Sequence, residues 1–574
     1  MIGPVTTKKS TKPMTFKVET EILVVGAGPV GLALAGDLSN RGHEVTLVDM
    51  NDGTAGQPKM DMVGIRTMEY MRRWGLTERV HNAGYNRDYP QDNVFLTTMT
   101  GFEIGRQIMP SMSREIPPAQ SPVTRERCPQ NFFDPVLTEF AREKGAEIHY
   151  GLKYLEHEQK SDHVVAKISC LKTGETKQIS AQFLVGCDGG NSGIRDELGI
   201  EMHGAGVLTY TTNVIFEAQG FNDLHDKTPG YRYMFVGPDG AWGTIVAIDG
   251  RDRWRMSIIG DKNPQPLYNE EEVAEFAYKM VGKKFDLTVI SIMPWIRSEL
   301  VADRYHSGRV ILCGDACHRT SPTAGLGMNT GIGDAVDLAW KLSAILQGWG
   351  DKEALLRSYD QERIPIAARF TQFSTGNLNT MKAAAATEEM FKESDEGREQ
   401  RRRLRKYFDE GLRREWFSLN MHLGNRYMNS DIIIYEEGED PDLIAKEYEE
   451  AIIYNQTSRP GARAPHAWLR DGRSMIDFFG GGFVLLTFTD VDRRAAEEAF
   501  AVQAKELGIP FEVLLVDQPD IANIYDRRFV LVRPDGHVAW RNEHLPLDPS
   551  FVLEKVVGKR SSLGAQDAKR SSGR

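Results

Sequence analysis

The chain has 574 residues, more than one hydrophobic core ordinarily supports, so two or three domains are expected. Hydrophobic residues at 41% and charged residues at 26% are ordinary for a globular protein, and 81 acidic against 70 basic side chains leave a net charge of -11, which argues against a nucleic-acid binder. The five cysteines, Cys128, Cys170, Cys187, Cys313 and Cys317, have irregular spacing; they make no disulfide framework and no metal site, and suggest a reducing compartment.

Residues 1–16 carry Lys8, Lys9 and Lys12 but no apolar core, so 1–19 is expected to be a flexible tail and not a secretory signal. No run of about 18 apolar residues predicts a membrane span. A short apolar strand is predicted at 21–25, then a helix at 30–41 stopped by Gly42, then a strand at 44–49. Between the first two lies Gly26-Ala27-Gly28-Pro29-Val30-Gly31, and Asp49 follows Gly28 by 21 residues. Glycine lets backbone approach a pyrophosphate at a helix N-terminus, and an acid at the second strand end accepts from a ribose hydroxyl. That half of the signature does not separate NAD from FAD; a tight turn that binds nothing is the alternative.

Further along, a strand at 183–186 runs into Asp188-Gly189. Strands at 212–216, 231–236, 242–248 and 254–259, with turns at Pro238-Asp239-Gly240 and Asp249-Gly250, predict a meander sheet inserted in the first domain. A buried strand at 309–313 then leads to Gly314-Asp315, Gly325-Leu326-Gly327 and a helix at 329–346. An acid ending a buried strand needs a partner, for which a ribityl hydroxyl serves, and the free N–H groups of the next helix favour an electron-rich flavin edge. This late segment favours FAD; simple N-capping by Asp315 is the alternative. Residues 387–416 read as a charged helix whose arginines are matched by acids, a solvated face. After Pro460-Gly461, a β-α-β-β order at 483–541 resembles a thioredoxin-like domain; no cysteine lies beyond Cys317, which excludes a dithiol role. Residues 558–574 are expected to be a disordered tail.

Several motifs carry a family resemblance: Arg66-Thr67-Met68-Glu69, Cys187-Asp188-Gly189-Gly190-Asn191-Ser192 with Arg195, Gly314-Asp315-Ala316-Cys317-His318-Arg319, Pro322, Gly325-Leu326-Gly327-Met328-Asn329-Thr330, Asp337-Leu338-Ala339-Trp340 and Ser458-Arg459-Pro460-Gly461. Over nearly its whole length the chain resembles the single-component FAD-dependent aromatic hydroxylases, the class A flavoprotein monooxygenases, in the phenol hydroxylase and 2-hydroxybiphenyl 3-monooxygenase branch. The resemblance implies an α/β and α+β architecture: a Rossmann-like FAD-binding domain (20–200 and 301–375), an inserted β-sheet substrate domain (201–300), a helical connector (376–455) and a thioredoxin-like domain (456–557). It implies that NADPH or NADH, a transient cosubstrate, reduces FAD, that oxygen adds at the flavin C4a, and that the hydroperoxide hydroxylates a phenol ortho to its OH. Hydroxylation of a larger polycyclic or polyketide phenol, Baeyer–Villiger oxygenation, and a flavin-binding scaffold without catalysis are the alternatives. The expected setting is a cytoplasmic homodimer acting on a phenol and O2, with no nucleic acid, membrane or metal.

The resemblance also assigns residues. Asp61 falls where phenol hydroxylases carry an acid and is the candidate base; an acid paired with Lys59 or Arg66 is the plainer reading. Arg255 matches an arginine that accompanies flavin movement, or is a solvent-facing strand residue. Gly26, Gly28, Gly31, Asp49, Lys59, Gln130, Asp188, Gly189, Gly314, Asp315, Pro322, Gly325, Leu326, Gly327, Met328 and Asn329 are candidate cofactor contacts. Lys59 stands where relatives have an arginine. Ser257 stands in place of a phenol-binding tyrosine. Tyr233, Trp242, Trp254, Met256, Ser257 and Trp295 are candidate pocket walls, of which strand alternation allows about half to face inward. His318 is expected to be structural or near the flavin.

Overall fold

The computed structural model describes residues 18–560 apart from 57, 59 and 385. Lys59 and most of both expected tails lie outside the described residues.

Strand Glu19–Val25 is almost entirely buried, as its unbroken apolar run requires of a parallel strand covered on both faces. It pairs in parallel with Val45–Asp49 on one side and with Thr176–Gly186 on the other; the latter pairs in parallel with Val310–Leu312. Val25 stands opposite Gly186, and Gly186 opposite Leu312. The three glycine segments, far apart in sequence, therefore meet at the carboxyl ends of adjacent parallel strands, where open α/β sheets bind ligands. Helix Pro29–Asn40 carries proline at its first turn and packs beside helices Gln130–Glu143 and Gly327–Leu346.

The second sheet has eight strands. The expected meander is present as Met202–Glu217, Arg232–Gly237, Gly240–Ala247 and Arg253–Ile259. It is completed by a long strand Thr288–Ala302, by the short strand His318–Arg319 and by Asn93–Leu96 and Glu103–Gln107. The last two belong by sequence to the expected FAD-binding segment, so the chain enters the second sheet earlier than a single insertion at 201–300 implies. Helix Asp395–Gly411 of the connector lies on the edge strand, with Phe408 stacked on Phe95 at 4.6 Å between ring centres. Its outward arginines pair with acids, among them Arg402 and Arg403 with Glu399.

The C-terminal unit is a four-stranded sheet with Phe483–Thr487 parallel to Phe511–Leu515 and antiparallel to Phe529–Val532, which pairs with Val538–Asn542. It is fastened to the first unit by buried charges. Glu69 on helix Ile65–Arg73 is held by Arg463 and by Arg66. Burial alone would raise the Glu69 carboxyl, but the two guanidinium groups hold it down at about 2.

Candidate functional site

The glycine turn after the first strand is shaped by close approach. Gly26 has φ +112, and a Cβ there would sit 2.2 Å from the Cys187 carbonyl oxygen; a Cβ on Gly31 would sit 2.0 Å from the Gly26 oxygen. Gly28 differs: it occupies the N-cap of helix Pro29–Asn40, no side chain caps that helix, and a Cβ would meet nothing within 4 Å. Its role is therefore not dense packing but open backbone at a helix N-terminus, the environment a pyrophosphate requires. Asp49 Oδ2 accepts from Ala27 N at 2.7 Å, tying the second strand end to the same turn.

On the neighbouring strand, Asp188 Oδ2 accepts from Ile194 N at 3.2 Å, while Oδ1 is buried without a hydrogen-bond partner among the described residues. Burial raises this carboxyl. Gly189 has φ +83 and Gly314 φ +68. Asp315 follows the buried strand Val310–Leu312 as expected, and it is itself exposed in the turn Gly314–Ala316, so its carboxylate is offered outward at the strand end. The open Gly28 and the orphaned Asp188 oxygen fit a dinucleotide-type cofactor along these strand ends.

The loop that follows is strained. Ala324 has φ +73, costly for a residue with a Cβ, and precedes Gly325 at φ +64. Helix Gly327–Leu346 starts with no side-chain cap, leaving its first N–H groups free. The side chains of Leu326 and Met328 are buried in apolar clusters. Asn329 is a strut: its amide donates to Met62 O at 3.1 Å and Gly325 O at 2.7 Å, and its oxygen accepts from Gly64 N and Thr67 Oγ1, both at 2.7 Å. That uses its full bonding capacity. Gln130 opens helix Gln130–Glu143, with Nε2 donating to Asp134 at 3.0 Å. His318 is buried against Asp334 at 2.8 Å, a structural pair.

Between this loop and the second sheet lies a cavity. Pro322, Thr323, Ala324 and Gly325 form one wall; Asn213, Thr244, Val246, Arg255, Ser257, Met293, Trp295 and Arg297 form the sheet wall. Asp61, Arg127 and Tyr231 line it too, with Arg125, Arg232, Glu415, Trp416 and His422. Arg66 pairs with Glu69 and not with Asp61, and Lys59 lies outside the described residues. Asp61 Oδ1 is 3.1 Å from Arg127 and its Oδ2 3.1 Å from Arg255, and Tyr231 donates to Oδ2. The short antiparallel pairing of Met62–Val63 with Glu126–Arg127 brings Asp61 and Arg127 together. Burial would raise the Asp61 carboxyl, but Arg127, Arg255 and the Tyr231 hydroxyl hold it below the usual carboxylate range. Burial holds Tyr231 protonated, as a donor. Ser257 Oγ donates to Asn213 at 2.7 Å on the same wall.

Four expected wall residues face the other way. Tyr233, Trp254 and Met256 are buried in the apolar cluster behind the sheet, and Trp242 packs on Phe235 and under Lys279 at 4.7 Å. Arg255 and Ser257 share one strand face, and Trp254 and Met256 necessarily share the opposite one. Residues not anticipated from sequence are Arg125, Arg127, Tyr231, Arg232, Arg297, Glu415 and His422. Arg297 shares its strand face with Trp295, which is the signal that points to it. The connector, from which no site residue was expected, supplies Glu415, Trp416 and His422.

Residues 19–374 match the FAD binding domain family, and residues 457–559 match the family described as aromatic-ring hydroxylase, C-terminal. The 2,4-dichlorophenol 6-monooxygenase of Cupriavidus pinatubonensis is 29% identical over 97% of this chain and 99% of its own length. Phenol 2-monooxygenase of a Pseudomonas species is 27% identical over 95% and 93%. Among solved structures, RebC soaked with chromopyrrolic acid and holding 7-carboxy-K252c is 33% identical, with a TM-score of 0.87 covering 95% of this chain and 100% of that one. No helix among the described residues is long and apolar enough to cross a membrane.

Proposed function

The chain belongs to the FAD-dependent aromatic-ring hydroxylases, and we propose that it uses NAD(P)H and O2 to hydroxylate a phenolic compound ortho to an existing hydroxyl. Both named monooxygenase relatives carry, in their names, oxygenation at a ring carbon next to the hydroxyl-bearing one. FAD, when bound, supplies electron storage and oxygen activation that no side chain provides. In this reading Gly26, Gly28, Gly31 and Asp49 hold its adenosine and pyrophosphate part, Asp188 and Asp315 its ribityl chain, and the 322–327 loop backbone its ring.

The observation that carries the proposal is Asp61, mostly buried on the cavity wall between Arg127, Arg255 and Tyr231. Its carboxylate is an acceptor for a phenol O–H. It is a weak base: Arg127, Arg255 and Tyr231 hold the carboxyl below the usual carboxylate range, far below a phenol, so full proton transfer to it is unfavourable. The arginines act on the other side of that balance, because each guanidinium favours the phenolate. Asp61 thus orients the hydroxyl, and Arg255, which contacts Asp61, stabilises the charge that develops on it.

A larger, fused-ring phenol is the second reading, favoured by the small Ser257 side chain on the cavity wall and by a sheet wall running from Arg255 to Arg297. The cysteine usage supports a cytoplasmic setting, and a homodimer is the expected assembly, checked by sedimentation. The reaction is tested with FAD-loaded protein and a panel of phenols from one ring to four. Phenol-stimulated NAD(P)H oxidation with a product one oxygen heavier, next to the original hydroxyl, is the expected result. Products from fused rings alone select the second reading, and no stimulation or product from any phenol contradicts both.

A further inference from the structure

The cavity carries more positive charge than its acids neutralise. Five arginines line it: Arg125, Arg127, Arg232, Arg255 and Arg297. Arg127 and Arg255 share the single carboxylate of Asp61. Arg232 pairs with Glu415 at 2.9 Å and Arg125 with Glu115 at 3.0 Å. Arg297 has no ion pair among the described residues, is 6% exposed, and its Nε is buried without a hydrogen-bond partner. Burial, then the charges of Arg232 and Arg255, push it down to about 10, so it stays charged at neutral pH; Glu415, already paired with Arg232, is the acid that opposes them. His422 adds no charge, since burial and then Arg125 push it down to about 4.

An isolated buried guanidinium is strongly unfavourable unless an anion meets it. We propose that Arg297 anchors a carboxylate of the substrate, so that the phenol this chain binds is a hydroxy-aromatic acid. The aromatic part of this inference rests on the hydroxylase reading above; the carboxylate rests on the charge balance. The register supports two separate subsites. Arg255 stands opposite Ile215, which stands opposite Ser291, whereas Arg297 stands opposite Thr209. The two arginines are therefore six residues apart along the sheet, with Met293 and Trp295 on the cavity wall between them. The phenol end meets Asp61 and Arg255, the ring lies over Trp295 and Met293, and the carboxylate pairs with Arg297, the planar fork suited to it.

The test uses full-length, FAD-loaded protein titrated with 6-hydroxy-2-naphthoate, whose hydroxyl and carboxylate lie at opposite ends of the ring system, and with the neutral 6-hydroxy-2-naphthamide, followed by the flavin absorption spectrum. The carboxylate is expected to bind at least about ten-fold more tightly, the scale of one charged hydrogen-bonded pair. Arg297→Met is expected to abolish that preference with little change for the amide, and Arg297→Lys to keep part of it. Arg297→Met should also raise the melting temperature of the protein without probe, because it removes an uncompensated charge; a purely structural arginine would give the opposite shift. Equal affinity for both probes, binding of neither, or a preference that survives in Arg297→Met overturns the proposal. Binding requires no turnover, so normal discrimination without hydroxylation counts against the reaction and not against the anchor.

Discussion

Two buried charge clusters in this molecule are built to opposite ends. Where the C-terminal unit meets the helices Gly327–Leu346 and Lys352–Lys382, Arg533 lies 2.6 Å from Glu362 and 3.1 Å from Asp337, and Lys341 lies 2.7 Å from both acids. Asp337, Glu362 and Asp535 alone would outline a cation site, but Arg533 and Lys341 fill it. Burial, opposed by Lys341 and then with Glu362 against Arg533, raises the Asp337 carboxyl, and three acids meet two cations in one buried cluster. In the cavity, five arginines face Asp61, Glu415 and the more distant Glu115, and one of them, Arg297, has no ion pair among the described residues. The paired cluster fastens two units together. The unbalanced one leaves charge available to a ligand.

That contrast predicts where substitutions act. Arg533→Met strands the buried acids and should cost about 3–5 kcal/mol of unfolding free energy by denaturant titration. Glu69 shows the same fastening logic through pH. Its folded carboxyl is depressed from 4.5 to about 2, so its contribution is full above pH 4.5 and is lost as pH falls toward 2. The loss amounts to about 3 kcal/mol, and Glu69→Gln should flatten that acid limb in pH-dependent unfolding. In the cavity the effect should appear in rate instead. Asp61→Asn should lower phenol hydroxylation by about 10²-fold, with FAD content unchanged. The smallest stability change belongs to Gly28→Ala, under about 1 kcal/mol, because nothing surrounds the new Cβ; its signature should be weaker FAD retention in equilibrium dialysis.

The glycine turns at the parallel-strand ends were legible because their constraints are local: a turn, a helix start and a strand end lie within a few residues. The meander sheet was legible from alternation. Its facing was not, since alternation groups Arg255 with Ser257 and Trp254 with Met256 without telling which pair faces the cavity. Aromatic residues drew attention to the wrong face, as large apolar side chains usually fill a core. The Asp61–Arg127 and Arg232–Glu415 pairs join residues 66 and 183 positions apart, and no spacing rule reaches that far. Asn329 was legible as important but not as a strut, because three of its four partners lie in residues 62–67, more than 260 positions upstream.

The most direct measurement is turnover of the FAD-loaded protein under ¹⁸O₂ with NAD(P)H and a hydroxy-aromatic acid, read by mass spectrometry. The expected product carries one ¹⁸O atom at the carbon next to the original hydroxyl, with the carboxylate intact. NAD(P)H consumption that yields only peroxide across the whole series, or a product whose new oxygen comes from water, would contradict it.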